Sequence, residues 1–455
     1  MEALYPQTVP GQEPIRCPEV KDDFGRPRAA ATGKLEALLP NFAVRYAFYL
    51  SIAAIPFLHL YVPGTGERFG VARITQGLLV LAMFSRPKVC LRLVPVCLLW
   101  MLAYCAVRII WGMWLAPEYS RLWWPSSLEL LQYLLPWSWF MFNVMRYPDF
   151  GLGGLWAFVV GVSICSLLHV AGIGVEAVEN GIEGRSSIFG MNANEIGQIY
   201  GLAFIAVVAL GLFRYTKPGL RLIVFPIAGL LAVTLAKTGS RGGLLVAAVG
   251  VLILLPQTRA FVGRTKRYLA LLLLAVVFAG VMSQIPIVLK RLAPVASSNA
   301  TREEPRGRMA VVLWEIFLRS PIYGSGPDRY QYELTRRALP YLAEKQQTVP
   351  SHNLALLLLV ETGIIGFALF ALGLAKALVS AWRARSGQIG LLPLAWLLTL
   401  TLSALTISSQ IFEPGFWLVL TYALAGSGLI LRGHMPLKSR GHNFAAPAGS
   451  LCVSP

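Results

Sequence analysis

His352 stands where a polar turn gives way to a long apolar run, in the stretch TVPSHNLALLLLVETGIIG. Pro350 and Ser351 predict a helix start here, with Ser351 as the N-cap and His352 in the first turn. The positive end of the helix dipole disfavours an imidazolium there, so the ring is biased towards the neutral form that accepts a proton. His352 is therefore a candidate general base. The alternative interpretation is an interfacial histidine that only hydrogen-bonds a loop carbonyl group.

Arginines in three other segments supply positive charge. Arg185 lies in NGIEGRSSIFG, Arg241 in the short turn AKTGSRGG, and Arg306 and Arg308 precede the amphipathic stretch MAVVLWEIFLRS. A guanidinium group binds two phosphate oxygens at once, so converging arginines predict a phosphate or diphosphate ligand. Taken singly, each has another interpretation: snorkelling for Arg185, lipid headgroup binding for Arg241 and a solvated charge for Arg306.

The elements that must position these residues are membrane helices. Of the 455 residues, 56% are hydrophobic and only 14% are charged, whereas a soluble domain has about 25% charged residues. Apolar runs long enough to cross a hydrocarbon core of about 30 Å recur along the chain and predict about twelve transmembrane helices. The runs lie near residues 43–62, 71–84, 93–115, 127–145, 153–173, 196–213, 219–237, 242–256, 268–287, 352–380, 389–409 and 414–431.

The distribution of charge predicts how these helices are oriented. Residues 1–40 carry no apolar stretch typical of a cleaved signal, and the even-numbered connections are rich in Lys and Arg. The positive-inside rule then places both termini in the cytoplasm. The predicted organisation is a cytoplasmic tail (1–42), helices one to nine (43–287), a large periplasmic loop (288–351), helices ten to twelve (352–431) and a second cytoplasmic tail (432–455).

In this orientation His352 and the arginines share the external face. Phosphate-binding arginines and a base at the outer leaflet are what an enzyme with a lipid-diphosphate sugar donor requires. The formal net charge of +18 is largely explained by cytoplasmic anchoring, and no nucleic-acid-binding motif occurs, so no nucleic-acid partner is expected. A flippase for lipid-linked glycans is the alternative outside the enzymes, but the few charges within the apolar runs argue against a translocation route.

The stretch HNLALLLLVETGIIG resembles a signature of the bacterial O-antigen ligase and O-antigen polymerase superfamily: His-Asn, nine residues, then Gly-x-x-Gly. The preceding RMAVVLWEIFLRSPIYGSG is similar to the Arg, Trp, Pro, Gly-x-Gly stretch of that family, at Arg308, Trp314, Pro321, Gly324 and Gly326. The resemblance implies an all-α, polytopic fold like that of the C-type glycosyltransferases, in the bacterial inner membrane with the active site facing the periplasm.

The chemistry that the resemblance implies is transfer of a glycan from undecaprenyl diphosphate to an acceptor hydroxyl group, with inversion and without metal or cofactor. The sequence agrees on the metal, because no external Asp-x-Asp and no paired ligands at metal spacing occur. The acceptor is the lipid A core in a ligase, which we favour. A growing polysaccharide in a polymerase and a protein hydroxyl in a protein-glycosylating relative remain open.

The roles expected on this basis divide the candidates into three groups. Arginines bind the diphosphate: Arg185, Arg241 and Arg308. His352 is the base on the acceptor hydroxyl, and Asn353 orients either the imidazole or a sugar hydroxyl, unless it only makes a helix-start hydrogen bond. External acids are the alternative bases: Glu195 and Asp328.

A further set of polar, aromatic and glycine residues is predicted to be structural. The set comprises Glu361, expected to contact a neighbouring helix; Gly363 and Gly366, expected to allow close helix packing; Trp123 and Trp124, expected in an interfacial aromatic belt; and His169, expected as a buried and satisfied histidine of helix five.

Overall fold

The computed structural model describes residues 41–60, 70–177, 186–212, 218–256, 305–338, 351–387, 389–405 and 409–433. Fourteen α-helices of nine or more residues lie in this part of the chain. They are α1 (Phe42–Ala53), α2 (Val71–Met83), α3 (Val96–Leu115), α4 (Ser120–Leu128), α5 (Leu135–Met145), α6 (Pro148–Val170), α7 (Ala193–Leu212), α8 (Pro218–Lys237), α9 (Arg241–Leu254), α10 (Pro305–Arg319), α11 (Tyr330–Ala338), α12 (Leu354–Ala384), α13 (Leu392–Ser403) and α14 (Pro414–Gly433).

The fold is that of a mostly helical, multi-pass membrane protein. Helices lie at eleven of the twelve predicted apolar runs, and the run near 268–287 lies outside the described residues. Four helices are long and apolar enough to cross a membrane by themselves: Val96–Leu115, Asp149–Val170, Ala193–Gly211 and Leu354–Ala384. The total of twelve crossings therefore stays a prediction, as do the domain boundaries.

The helices that carry the candidate residues pack closely against one another. Helix α12 lies against α3 and α14, and α9 lies between α7 and α13. The backbones of α7 and α9 approach so closely at Gly197 and Gly243 that a Cβ atom at either position would overlap the other segment. Small residues permit such contacts in membrane helices. The first turns of α7 and α9, with Glu195 and Arg241, are consequently held side by side.

A short hairpin, absent from the prediction of an all-α protein, flanks the segment of Arg185. Strands β1 (Val175–Ala177) and β2 (Ser186–Ile188) pair antiparallel. His169 anchors β2, because its Nε2 lies 2.8 Å from Ser186 Oγ and its Nδ1 lies 3.1 Å from the hydroxyl of Tyr200. The prediction that His169 is buried and satisfied is confirmed.

Helix α12 is interrupted, whereas the apolar run predicted a continuous helix. Gly363 adopts φ 65° and ψ −165°, a conformation that L-residues avoid. The turn of residues 321–326 inserts here: Ser325 N donates to Val360 O at 2.7 Å, and Ile364 N donates to Pro321 O at 2.9 Å. A Cβ atom on Gly363 would overlap the carbonyl oxygen of Ile322. Gly363 therefore admits a loop, and the prediction of helix–helix contact was wrong at this glycine.

The tryptophan pair is divided between core and surface. Trp123 is only 2% exposed and its indole N–H donates to the carbonyl oxygen of Ala116 at 2.8 Å, so it is a core residue and the belt prediction was wrong for it. Trp124 is 42% exposed, as a residue of an aromatic belt would be. The amphipathic pattern of α4 separates the two adjacent side chains.

Candidate active site

The start of α12 differs from the prediction by two residues. Asn353, not Ser351, is the N-cap, and its side chain accepts a hydrogen bond from Leu356 N at 3.1 Å. His352 precedes the helix with φ 53°, so it does not lie in the first turn. The side chain of Asn353 reaches the N–H group three residues ahead, as an N-cap does. Ser351 lies two residues further from the helix and does not cap it. The helix-start role of Asn353 is thereby confirmed.

The turn that carries His352 is held from two sides. Leu354 N donates to Ala404 O at 2.8 Å, which fixes the turn to the end of α13. Ser351 is buried beside Tyr330, the first residue of α11, and its Oγ donates to the carbonyl oxygen of Asn353 at 3.2 Å. Burial raises the pKa of the Tyr330 phenol and keeps it neutral. His352 itself is half-buried in a left-handed conformation that few non-glycine residues adopt.

A cavity lies at the adjoining ends of α7, α13 and α14. Its lining includes two carboxylates and an amide, Glu195, Glu413 and Gln198, together with Leu400, one turn before the residue that holds the His352 turn. Burial raises the pKa of Glu413 well above its ordinary value, and the negative charge of Glu195 raises it further. Gln198 is 6% exposed, and its Nε2 has no hydrogen-bond partner. The cavity thus presents acid, base and donor groups to a polar guest.

Glu413 is a candidate that sequence reasoning missed. It lies directly before Pro414, the first residue of α14, in the connection QIFEPGFW. An acidic residue beside the start of an apolar helix in a predicted external connection was the available signal. The signal was weak because an acidic residue at a helix N-terminus is ordinarily explained by the helix dipole alone.

The segments of Arg185 and Arg241 meet in space. Ser186, which follows Arg185, donates from Oγ to the carbonyl oxygen of Lys237 at 3.3 Å, at the end of α8. Arg241 is the exposed first residue of α9, and Ser240 caps that helix by accepting from Gly243 N at 3.1 Å. Arg185 itself lies outside the described residues. The structure therefore brings the residue that follows Arg185 to the end of the helix that precedes Arg241.

Among the described residues, Arg308 contacts a different part of the chain from the segments of Arg185 and Arg241. It is exposed near the start of α10, and its Nη2 donates to the carbonyl oxygen of Arg337 at 3.4 Å. Helix α10 packs on α11 and α12. The side chain of Arg306 is outside the described part of the chain. A role of Arg308 in binding phosphate stays a prediction.

Asp328 belongs to a buried charge network that the sequence did not reveal. Arg108 of α3 is 1% exposed and contacts Asp328 Oδ2 at 3.2 Å, and it forms an ion pair with Glu361. The second carboxylate oxygen of Glu361 accepts from Asp328 N at 3.0 Å. Glu361 thus contacts a neighbouring helix, as predicted. Asp328 is occupied by the same arginine, which makes it a weaker candidate base than Glu195.

Comparison with protein families supplies the deciding observation. Residues 225–371 match the sequence model of the family described as O-antigen ligase. This part of the chain is similar to the O-antigen ligase family. A search of curated proteins found no match.

The matched region includes Arg241, Arg308, His352, Asn353 and the break at Gly363. It confirms the superfamily inferred from the His-Asn and Gly-x-x-Gly pattern. The match indicates a ligase or polymerase type of function, with a lipid-linked glycan and an acceptor in the membrane as substrates. Within the described ranges, no group of three or more His, Cys, Asp or Glu residues is arranged to hold a metal ion.

Proposed function

We propose that the protein transfers a glycan from undecaprenyl diphosphate to an acceptor hydroxyl group at the periplasmic face of the bacterial inner membrane. One observation carries the proposal beyond the family: the hydrogen bond from Ser186 to Lys237 joins the segments of Arg185 and Arg241. The Glu195–Glu413 cavity is lined by the first turns of α7, the helix that packs against α9. We infer that these helices adopt a fold like that of the C-type glycosyltransferases.

The reaction is a direct displacement at the anomeric carbon. The acceptor oxygen forms a bond to that carbon while the bond from the carbon to the diphosphate oxygen breaks, which inverts the configuration. Negative charge grows on the leaving diphosphate, and the guanidinium groups of Arg185 and Arg241 stabilise it without a metal ion. The proton of the acceptor hydroxyl passes to His352. The turn that carries His352 is fixed to the end of α13 by the hydrogen bond from Leu354 N to Ala404 O.

The two carboxyl groups of the cavity take supporting roles in this scheme. Protonated Glu413 donates a hydrogen bond, whereas an ionised Glu195 accepts one, so the pair holds a single hydroxyl group in a cavity of about 20 Å³. Gln198 Nε2 offers a further donor from the same wall. Glu195 remains the alternative base should His352 prove structural.

The acceptor decides between a ligase and a polymerase. We favour transfer to the lipid A core; a growing polysaccharide or a protein hydroxyl is the alternative. The experiment is a transfer assay with purified protein in lipid nanodiscs, lipid-linked donor and the three acceptors in competition. We expect one acceptor to be glycosylated, with release of undecaprenyl diphosphate and with activity retained in EDTA. Movement of the donor across vesicles without glycan transfer would instead support a flippase.

A further inference from the structure

A second cavity lies between α2 and α5, and it shares no lining residue with the Glu195–Glu413 cavity. We call it the α2–α5 pocket; its lining residues are Arg73, Gln76, Gly77, Gln132, Pro136 and Trp137, with Val80 at its deeper end. Its cavity volume is about 260 Å³, and it is open to the outside. This size is close to the lower end of the range for ligand-binding sites, which is about 300–1,000 Å³.

Buried polar atoms in the wall of this pocket have no partner. Gln76 is 2% exposed, and neither its Nε2 nor its Oε1 is hydrogen-bonded; Trp137 is also 2% exposed, and its Nε1 has no acceptor. A buried polar group without a partner destabilises the fold. Gln76 and Trp137 both line the pocket, and we expect them to have a function there, since an apolar side chain would be more stable at either position.

The kinds of unpaired atoms identify the chemistry of the ligand. Gln76 offers a donor and an acceptor, and Trp137 offers a second donor beside an aromatic surface. Arg73 at the rim is already paired with Glu129 at 3.2 Å, with side chains 45% and 30% exposed, so the rim also presents both signs of charge. A phosphate group, which at neutral pH mainly accepts, would leave Gln76 Oε1 unsatisfied. Sugar hydroxyl groups donate and accept, and they satisfy the whole set.

The position of the pocket agrees with a sugar ligand. Gln76 lies in the second turn of α2, and Gln132 lies in the π-helical segment Glu129–Leu134, a rare conformation that is frequent at functional sites. Ser126 and Ser127 at the end of α4 both accept hydrogen bonds from Arg108. The same stretch of chain therefore runs from the Arg108 network to Gln132 of the pocket.

We propose that the α2–α5 pocket binds a sugar ring of the transferred glycan or of the acceptor, an inference that rests on the glycan-transfer function proposed above. The ring would displace water from the pocket and hydrogen-bond with Gln76 and Trp137. Its role is to hold the saccharide away from the reacting bond, so the residues of the pocket are positioning residues.

The test uses full-length protein in phosphatidylcholine nanodiscs and two soluble probes. One probe is the saccharide released from the lipid-linked donor, without phosphate or lipid; the other is the delipidated acceptor saccharide. Gln76→Leu removes the unpaired atoms at similar volume. Gly77→Leu fills the pocket, because nothing lies within 4 Å of a Cβ atom at Gly77. Gly229→Leu in α8, where the space is equally open, is the matched control.

We expect one probe to bind wild type and the Gly229→Leu control equally. Gln76→Leu should bind it about tenfold more weakly, since two hydrogen bonds are lost, and Gly77→Leu should not bind it. Without saccharide, Gln76→Leu should unfold at a higher temperature than wild type, an effect opposite to that of losing a structural side chain.

The proposal is overturned if both pocket variants bind the saccharide like wild type, or if neither saccharide binds to the wild type. It is also overturned if phosphatidylglycerol added to the nanodisc raises the unfolding temperature of the wild type and prevents saccharide binding. Glycan transfer by the wild type is measured in parallel. If the wild type transfers glycan but the variants bind the saccharide normally, only the role of the pocket is refuted. If the wild type does not transfer glycan, the proposed function is refuted.

Discussion

The guanidinium group of Arg108 forms an ion pair with the carboxylate of Glu361, and both side chains are only 1% exposed. The pair joins α3 to α12 two residues before the break at Gly363. The carbonyl oxygen of Glu361 also accepts a hydrogen bond from Gly326 N at 3.1 Å in the inserted turn. Three segments therefore depend on one buried charge pair.

We expect Arg108→Leu to lower the free energy of unfolding by about 3–5 kcal/mol, because two carboxylates lose their buried cation. The exposed pair of Arg319 and Glu333 supplies the control. Arg319→Leu should cost less than about 1 kcal/mol, since solvent screens such pairs. Equal unfolding temperatures of the two variants in detergent would contradict a bracing role of Arg108.

His352 has to be tested with two substitutions, because its φ of 53° is unfavourable for alanine. His352→Gly relieves the backbone strain, so its unfolding temperature should equal or exceed that of His352→Ala. Both variants should bind the lipid-linked donor, and both should lose transfer by about 10²–10⁴-fold. The rise of the wild-type rate with pH through the titration of the histidine should be absent from their residual activity. Full activity of His352→Gly would show that only the turn matters and would promote Glu195 as base.

Arg241→Lys and Arg185→Lys keep the positive charge and remove the planar fork. We expect each to lower transfer by about 10–100-fold at saturating acceptor, because the leaving diphosphate loses a paired hydrogen bond. Arg308→Lys is measured alongside, since Arg308 contacts the Arg337 carbonyl in a different part of the structure. EDTA should change none of these rates. If EDTA abolished wild-type activity and magnesium restored it, the leaving diphosphate would be stabilised by a metal ion, contrary to this prediction.

Glu413 predicts a pH dependence of stability. Its pKa is raised by burial and by Glu195 above the ordinary value of 4.5. The folded protein therefore keeps this proton to a higher pH than the unfolded chain does. The contribution of Glu413 to stability is complete below pH 4.5 and is lost as pH rises through the raised pKa.

Glu413→Gln should remove that dependence and unfold at a higher temperature than wild type at the alkaline end of the range. Glu176→Gln, at an exposed site on β1, is the control and should follow the wild-type curve. Thermal unfolding recorded at a series of pH values decides the matter. Parallel curves for wild type and Glu413→Gln would show that the carboxyl group titrates normally.

Gly363→Ala should be strongly destabilising, by at least about 2–3 kcal/mol, because its backbone conformation is essentially limited to glycine and a Cβ atom would overlap Ile322. Gly229→Ala, in open space within α8, should instead stabilise by about 0.5–1 kcal/mol. Unfolding temperatures of both variants provide the comparison. Tolerance of alanine at 363 would mean that α12 is straight in the membrane.

Apolar runs were sufficient to predict helices at eleven places in the described chain, and two short stretches were sufficient to predict the superfamily. The break in α12 was not predictable, because Gly363 has the same surroundings in sequence as any glycine of a membrane helix; only the distant turn of residues 321–326 reveals it. Arg108 was missed for a related reason. A single arginine in an apolar run does not identify its partners, which lie more than two hundred positions away.

The break at Gly363 divides α12 into two parts that contribute differently to membrane insertion. The whole helix of 31 residues is longer than the membrane requires. The part after Gly363, residues 364–384, is about 31 Å long and crosses a hydrocarbon core by itself. Membrane insertion of α12 therefore does not depend on residues 354–362. Substitutions at half-buried positions of the segment from His352 to Thr362 should therefore leave the anchorage of α12 unchanged.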